Sequence, residues 1–492
     1  MNKPDNHVTA SPAQPLPDPI PTTEIDRSCR VPVMVWVTAA ALWLLGGSAL
    51  GLLAAIKLHA PSMLAGCSWV TFGRVQPAAW NAIVFGFLTQ AAWAVGAWIL
   101  ARLGSTTLKG TGCLVMGAMV WNVALGIGVT GILAGHGTGI ESLELPGYIA
   151  PVLFSAIVIT HARLLETLHH RREREMYSSQ WFLLGALFVL PWAMGASYMM
   201  GVYFPVRGVL LAAVGAWYGN AIVLLWLGVV ALAVVLYLQP KLSGQPLPSR
   251  SLSTFAFWTI LLFGGFSALQ RFGGGPFPAY MPSFAVVAGG MLIIPAIALG
   301  LIFWKQPKPA KLTAQEALIW KLARFSGWAF ILWCLLSVSG VCGEFRRMTG
   351  LTLFGLAQEQ LLLQGVAATA ILAGLYFAMP KVLRMPWPKT LWITAHTWLL
   401  MGVVLFGAVV GLIGGLVHGA ALNDASVPFL TVMSKYLPFA SMGTLGYLLM
   451  FVGAVCFLLH WGLLVWAAAK ERCLPHAKAL LDTQPPVASA KV

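Results

Sequence analysis

The sequence predicts an all-α, polytopic membrane protein of about twelve transmembrane helices, on three observations. Of 492 residues, 59% are hydrophobic and only 9% charged, where a soluble chain would carry about 25% charged residues. Apolar stretches of about 20 residues, the length that crosses a hydrocarbon core of roughly 30 Å, recur along the whole chain. Between them the basic residues gather in alternate connections, the charge asymmetry that orients membrane proteins.

The first run, near 33–56, carries Gly46, Gly47 and Gly51, small residues that let neighbouring helices approach closely. The second and third, near 79–101 and 112–134, are joined through Arg102 and Lys109. The fourth, near 147–162, follows a connection whose charges are Glu141 and Glu144, and precedes the charged hairpin RLLETLHHRREREMYS at 163–178. The fifth and sixth, near 179–202 and 208–238, lead to Lys241 and Arg250. The seventh and eighth, near 252–269 and 283–304, flank the loop RFGGGPFPAY at 271–280 and lead to Lys305, Lys308 and Lys311. That loop has no strand before it and no GK[ST], so it is not a phosphate cradle. The ninth and tenth, near 319–341 and 353–379, lead to Lys381, Arg384 and Lys389. The eleventh, near 390–417, holds Gly407, Gly411, Gly414 and Gly415, and the twelfth lies near 438–468.

The net charge of +15 is therefore topology rather than a nucleic-acid footprint. Connections after even-numbered helices are the basic ones, which predicts a bacterial inner-membrane protein with both termini cytoplasmic. Three segments follow: a disordered cytoplasmic tail at 1–32, rich in Pro and without a signal-peptide layout, a membrane domain at 33–470, and a second cytoplasmic tail at 471–492. Seven cysteines show no metal-ligand spacing. Cys67 and Cys342 fall near the outer face, where a disulfide could form, and are expected instead to be buried thiols.

Three stretches carry a family resemblance. WVTFGRVQPAAWNAIVFGF (69–87) is similar to the second helix of the catalytic subunit of cbb3-type cytochrome c oxidases, a branch of the haem-copper oxidase family. WYGNAIVLLWLGVVALAVVLYLQPK (217–241) resembles its sixth helix, and GLYFAMPKVL (374–383) the end of its tenth. AHTWLL (395–400) and GLIGGLV (411–417) fit the eleventh, so the similarity covers roughly residues 35–470. It implies a subunit I-like bundle.

Members of that family hold a low-spin haem b, a high-spin haem and a copper ion through six histidines. Carried over residue by residue, the haem ligands fall on Ala79, Gln358 and Gln360, and the copper ligands on Asn220, Gln270 and Arg271. The copper-linked tyrosine falls on Gly264. Amides are far weaker ligands than imidazole. The resemblance thus implies an oxidoreductase scaffold from which catalysis, haem and copper are expected to be missing. Asn220, Gln270, Arg271, Gln358, Glu359 and Gln360 are expected to form a refilled polar cavity. The partners implied are the lipid bilayer and a membrane-anchored c-type cytochrome or another respiratory-complex subunit, with no nucleic acid. Two other readings stay open: a terminal oxidase or nitric-oxide reductase with relocated ligands, and a proton or small-solute channel through that cavity.

Relocated ligands would have to come from the remaining histidines. His7 and His476 lie in the tails, His169 and His170 in the hairpin, His59 and His136 in outer loops, and His161 near a helix end. Only His396, His418 and His460 fall within spans, and a His418–His460 pair is the arrangement left for a haem. Ionisable groups in a span are functional candidates by default. Glu359 and Arg271 are either a proton path or buried pair, or, on the simpler reading, a polar seam and an arginine reaching the interface. Glu344, Arg346 and Arg347 read as a solvated or subunit-facing cluster, and Trp80, Phe266 and Phe272 as bulk beside the former sites.

Overall fold

The computed structural model describes residues 20–273 and 275–482, with side chains through Glu471. It is a bundle of twelve helices long and apolar enough to span a membrane. They are α1 (Thr22–His59), α2 (Phe72–Leu103), α3 (Thr111–Ala134), α4 (Gly147–His169), α5 (Ser178–Tyr203), α6 (Val209–Ser243), α7 (Arg250–Phe272) and α8 (Tyr280–Lys305). Then come α9 (Ala314–Ser339), α10 (Leu353–Leu383), α11 (Thr390–Leu422) and α12, whose helix runs Phe429–Asp482.

Three of these form the centre. The apolar windows of α2, α6 and α10 are 94%, 100% and 94% buried, whereas those of the other nine range from 22% to 56%. A helix that is apolar all round belongs inside a bundle, and α6 has no charge between Val209 and Pro240. Every fourth helix is thus central, with the rest wrapped around. Each central helix widens into a π-helical stretch in mid-span: Ala82–Leu88, Ala221–Gly228 and Leu361–Ala368. These begin directly after Asn81, Asn220 and Gln360. A π turn disturbs the regular ladder, and nearby side chains occupy its carbonyls. Thr89 Oγ1 donates to Val84 O at 2.9 Å, and Gln90 Nε2 to Gly86 O at 2.7 Å.

The basic connections all lie at one face. There α6 and α10 end alike, in Pro240-Lys241 and Pro380-Lys381, each closed by a left-handed cap, Gly244 (φ 69°) and Arg384 (φ 58°), whose N–H returns to the proline carbonyl.

Several expectations need correction. The segment read as an N-terminal tail is already helical from Thr22, because Asp26 is buried against α2. The C-terminal segment continues α12 as far as Asp482, while residues 1–19 and 483–492, with His7, lie outside the described residues. His161 is not near a helix end. α4 continues to His169, and His161 is buried, receiving Trp93 Nε1 at 2.9 Å and meeting Leu187 O at 2.7 Å. Cys67 and Cys342 are exposed rather than buried, since both sit in loops beyond the spans. Phe266 is 48% exposed and packs on Phe284, so it does not fill the interior.

Candidate functional site

Opposite the basic face lies a cavity of about 510 Å³, walled by α6, the ends of α7 and α9, the short helix Gly343–Thr349 and the start of α10. Its deepest lining residues on α6 and α10 are Val223 and Leu362. Beyond them α6 is buried from Leu224 to Gln239 and α10 from Gly365 to Met379, and none of those residues lines the cavity.

Asn220, Gln270, Arg271, Gln358 and Glu359 all line it. Asn220 closes the α-helical part of α6 and donates through Nδ2 to Gly264 O at 2.7 Å, tying α6 to α7. Gly264 has no room for more. A methyl there would stand 2.8 Å from Leu224 Cδ2. Gln270 donates to Ser337 O at 3.2 Å and lies wedged against Gly289 and Gly340. Arg271 forms a bidentate pair with Glu141 at 3.2 and 2.9 Å across the cavity mouth, its guanidinium 5.1 Å from the Phe272 ring centre. Arg271 therefore reaches the interface, and its carboxylate partner is a loop residue rather than Glu359. Glu359 accepts from Trp80 Nε1 at 3.0 Å.

Gln360 does not belong to the cavity. Residues two apart on a helix point roughly 200° from each other, so Gln358 faces the cavity while Gln360 turns to α12. There it donates to Tyr447 OH at 3.3 Å and accepts from Gln364 at 2.5 Å. Ala79 is buried in α2, away from the cavity. The expected six-residue cluster is thus five residues on one side of α10 and one on the other.

Arg346 belongs here although its sequence neighbours read as a solvated cluster. Its Nη1 donates to Gly340 O at 2.8 Å and it lines the cavity, while Glu344 and Arg347 pair with each other on the exposed side. His418 and Tyr436 also line it. Helical phase on a seven-residue element was too short a signal to separate Arg346 from Arg347.

The other histidines are committed elsewhere. His396 Nδ1 meets Tyr376 OH at 2.7 Å, and His460 Nε2 lies 2.8 Å from Pro388 O, the two rings flanking Tyr376. His418 is beside Tyr436 at the opposite face from His460, so those two do not pair. Among the described residues no group of three or more His, Cys, Asp and Glu side chains could hold a metal.

Outside the spans, burial raises the pKa of one carboxyl. Glu144, in the loop before α4, receives Asn81 Nδ2 at 3.0 Å and Ser142 N at 2.8 Å. Burial nevertheless pushes its pKa up from an ordinary 4.5 to about 7. The folded state then holds this proton more tightly than the unfolded one, so its contribution is full below pH 4.5 and is lost as pH rises towards 7. We expect thermal stability in detergent to fall over that window by up to about 1.4 kcal/mol per pH unit, and Glu144→Gln to flatten the profile. A midpoint for the variant that falls as steeply as the wild type would refute this assignment.

Comparison with known proteins agrees with this architecture. Residues 31–449 match the family model for cytochrome c and quinol oxidase polypeptide I. A cytochrome c oxidase subunit 1 homolog from Azorhizobium caulinodans is 28% identical over 239 residues, 47% of this chain and 43% of that one. The Cbb3-type cytochrome c oxidase subunit CcoN1 of Stutzerimonas stutzeri is 25% identical over 265 residues, 52% of this chain and 55% of that one. The matches thus span about half the length of these curated relatives. A solved haem-copper terminal oxidase dimer shares the fold, with a TM-score of 0.66 at 11% identity over 90% of this chain and 84% of that one. The chain is a multi-pass membrane protein that belongs to the cytochrome c and quinol oxidase polypeptide I family.

Proposed function

We propose that this chain is a cofactor-free member of its family, a non-catalytic scaffold or docking subunit of a membrane electron-transfer complex. Its basic face lies in the cytoplasm of a bacterium, both termini are inside, and its partner is a membrane-anchored c-type cytochrome or another respiratory subunit. The observation that carries the reading is how the residues matched to the family's ligands are engaged. Asn220 is bound to Gly264 O, Gln270 to Ser337 O, Arg271 to Glu141 and Gln360 to Tyr447 and Gln364. Ala79 offers no donor atom. Most of these groups are tied to neighbouring backbone or side chains, and none is an imidazole or thiolate of the kind haem iron and copper require. The donor set does not fit the family's haems and copper.

An oxidase with relocated ligands is disfavoured by the pairing of His396 with Tyr376 and of His460 with Pro388 O. A through-channel is disfavoured by the unbroken buried runs of α6 and α10 beyond the cavity. The test is a reduced-minus-oxidised spectrum with haem and copper assays on the purified, monodisperse chain. We expect less than about 0.1 haem or copper per chain, against the whole-number stoichiometry a tightly ligated site gives. Stoichiometric b-type haem would overturn the reading. A c-type signal that appears only with a copurified subunit would support the partner assignment.

A further inference from the structure

Two ionisable side chains of opposite type line the cavity without ion-pair partners. Glu359, on its inner wall, has one hydrogen bond, from Trp80 Nε1. Arg346, nearer the mouth, donates to a neutral carbonyl, Gly340 O. The ion pairs among the described residues are Arg102–Asp26, Arg163–Glu166, Arg250–Glu175, Arg271–Glu141 and Arg347–Glu344, so these two groups meet neither each other nor another charge at ion-pair distance. Glu359 lies in the span of α10, where an ionisable residue without a charged partner marks a functional position. The wall between them carries amides and hydroxyls, Asn220, Gln358 and Ser267 among them. A volume of about 510 Å³ is within the range of small-molecule pockets, whose few polar groups fix the ligand's orientation.

We propose that this cavity binds a small zwitterion from the outer side. Its ammonium meets Glu359 and its anionic oxygens meet Arg346, so that each side chain acquires a charged partner on binding. The inference rests on the cofactor-free reading, because a haem beside Gln358 would occupy the same volume. Two sources share this chemistry: a free amino acid, and the headgroup of an ethanolamine phospholipid.

The experiment is equilibrium binding by calorimetry to the full chain, purified in detergent and delipidated, with haem assayed on the same sample. The probes are L-alanine and glycerophosphoethanolamine, with acetate and methylamine as single-charge controls. We expect at least one zwitterion to bind saturably, at least about tenfold more tightly than either control, and to lose about tenfold or more in Glu359→Gln and in Arg346→Gln. Preference between the two zwitterions identifies the source. Equal binding of a control, unchanged affinity in either variant, or binding of neither probe up to about 10 mM would overturn the proposal. If a variant does not fold, Glu359→Asp and Arg346→Lys replace it, and the selectivity over the controls is read on the wild type alone. Haem-free protein that binds neither probe sinks this inference only. Stoichiometric haem sinks the cofactor-free reading.

Discussion

Asp26→Ala is expected to destabilise the chain by about 3–5 kcal/mol, the cost of removing one partner from a buried ion pair. Asp26 is 5% exposed, and both of its oxygens are engaged by α2. Arg102 Nε and Nη2 donate at 2.8 and 2.9 Å, and Trp98 Nε1 donates to Oδ1 at 2.9 Å. Trp98 in turn packs edge-on against Tyr237 of α6 and Phe377 of α10. One carboxylate on α1 therefore orients an indole through which all three central helices meet. Alanine leaves the guanidinium and the indole N–H without their acceptor at once. Asp26→Asn keeps an oxygen for Trp98 but removes the charge, and should cost less. Arg102→Ala strands the carboxylate instead. Because both variants break the same pair, the double replacement should cost clearly less than the sum of the two singles. The check is the monodisperse fraction surviving a heating series in detergent. An Asp26→Ala midpoint within about 1 °C of the wild type, less than the shift expected for even 1 kcal/mol, would show that the clamp contributes nothing.

That clamp also marks the limit of what the sequence discloses. Twelve spans were legible because bilayer thickness imposes one length and one composition on each of them. The start of α1 was not, since TTEIDRSCR is polar by composition, and only its packing on α2 shows that Asp26 is inside. The π-helical stretches after Asn81, Asn220 and Gln360 leave no periodic trace in runs that are apolar on every face. The polar cavity was legible as a set of residues but not as a shape. The opposed directions of Gln358 and Gln360 follow from helix phase alone and were available in the sequence. Arg346 lining the cavity while Arg347 turns away, and Glu141 reaching Arg271, depend on how loops close over the bundle, which no local pattern encodes.

The second large effect is expected from adding one methyl group to α11. Gly411, Gly415 and Gly419 form a stripe of small residues at four-residue spacing, the pattern that brings helix backbones together in a membrane. A methyl at Gly415 would stand 2.6 Å from Phe354 Cβ and 2.7 Å from its Cα, and would also press on its backbone nitrogen. No flexible side-chain tip is there to yield, so the start of α10 must move away. We expect Gly415→Ala to cost about 3 kcal/mol, the upper part of the usual range for overpacking. The displaced segment is the one that carries Gln358 and Glu359 to the cavity, so the Glu359–Trp80 hydrogen bond should be disturbed as well. Gly407 on the same helix supplies the contrast, because nothing lies within 4 Å of a methyl added there. Alanine is the better helix former by about 1 kcal/mol, so Gly407→Ala should be neutral or mildly stabilising. The two variants differ by the same atoms on one helix, and their thermal midpoints should move in opposite directions or differ by several degrees. Equal midpoints would mean that α11 does not hold the start of α10 in place. In that case the wall of the cavity carrying Glu359 is not fixed by the glycine stripe.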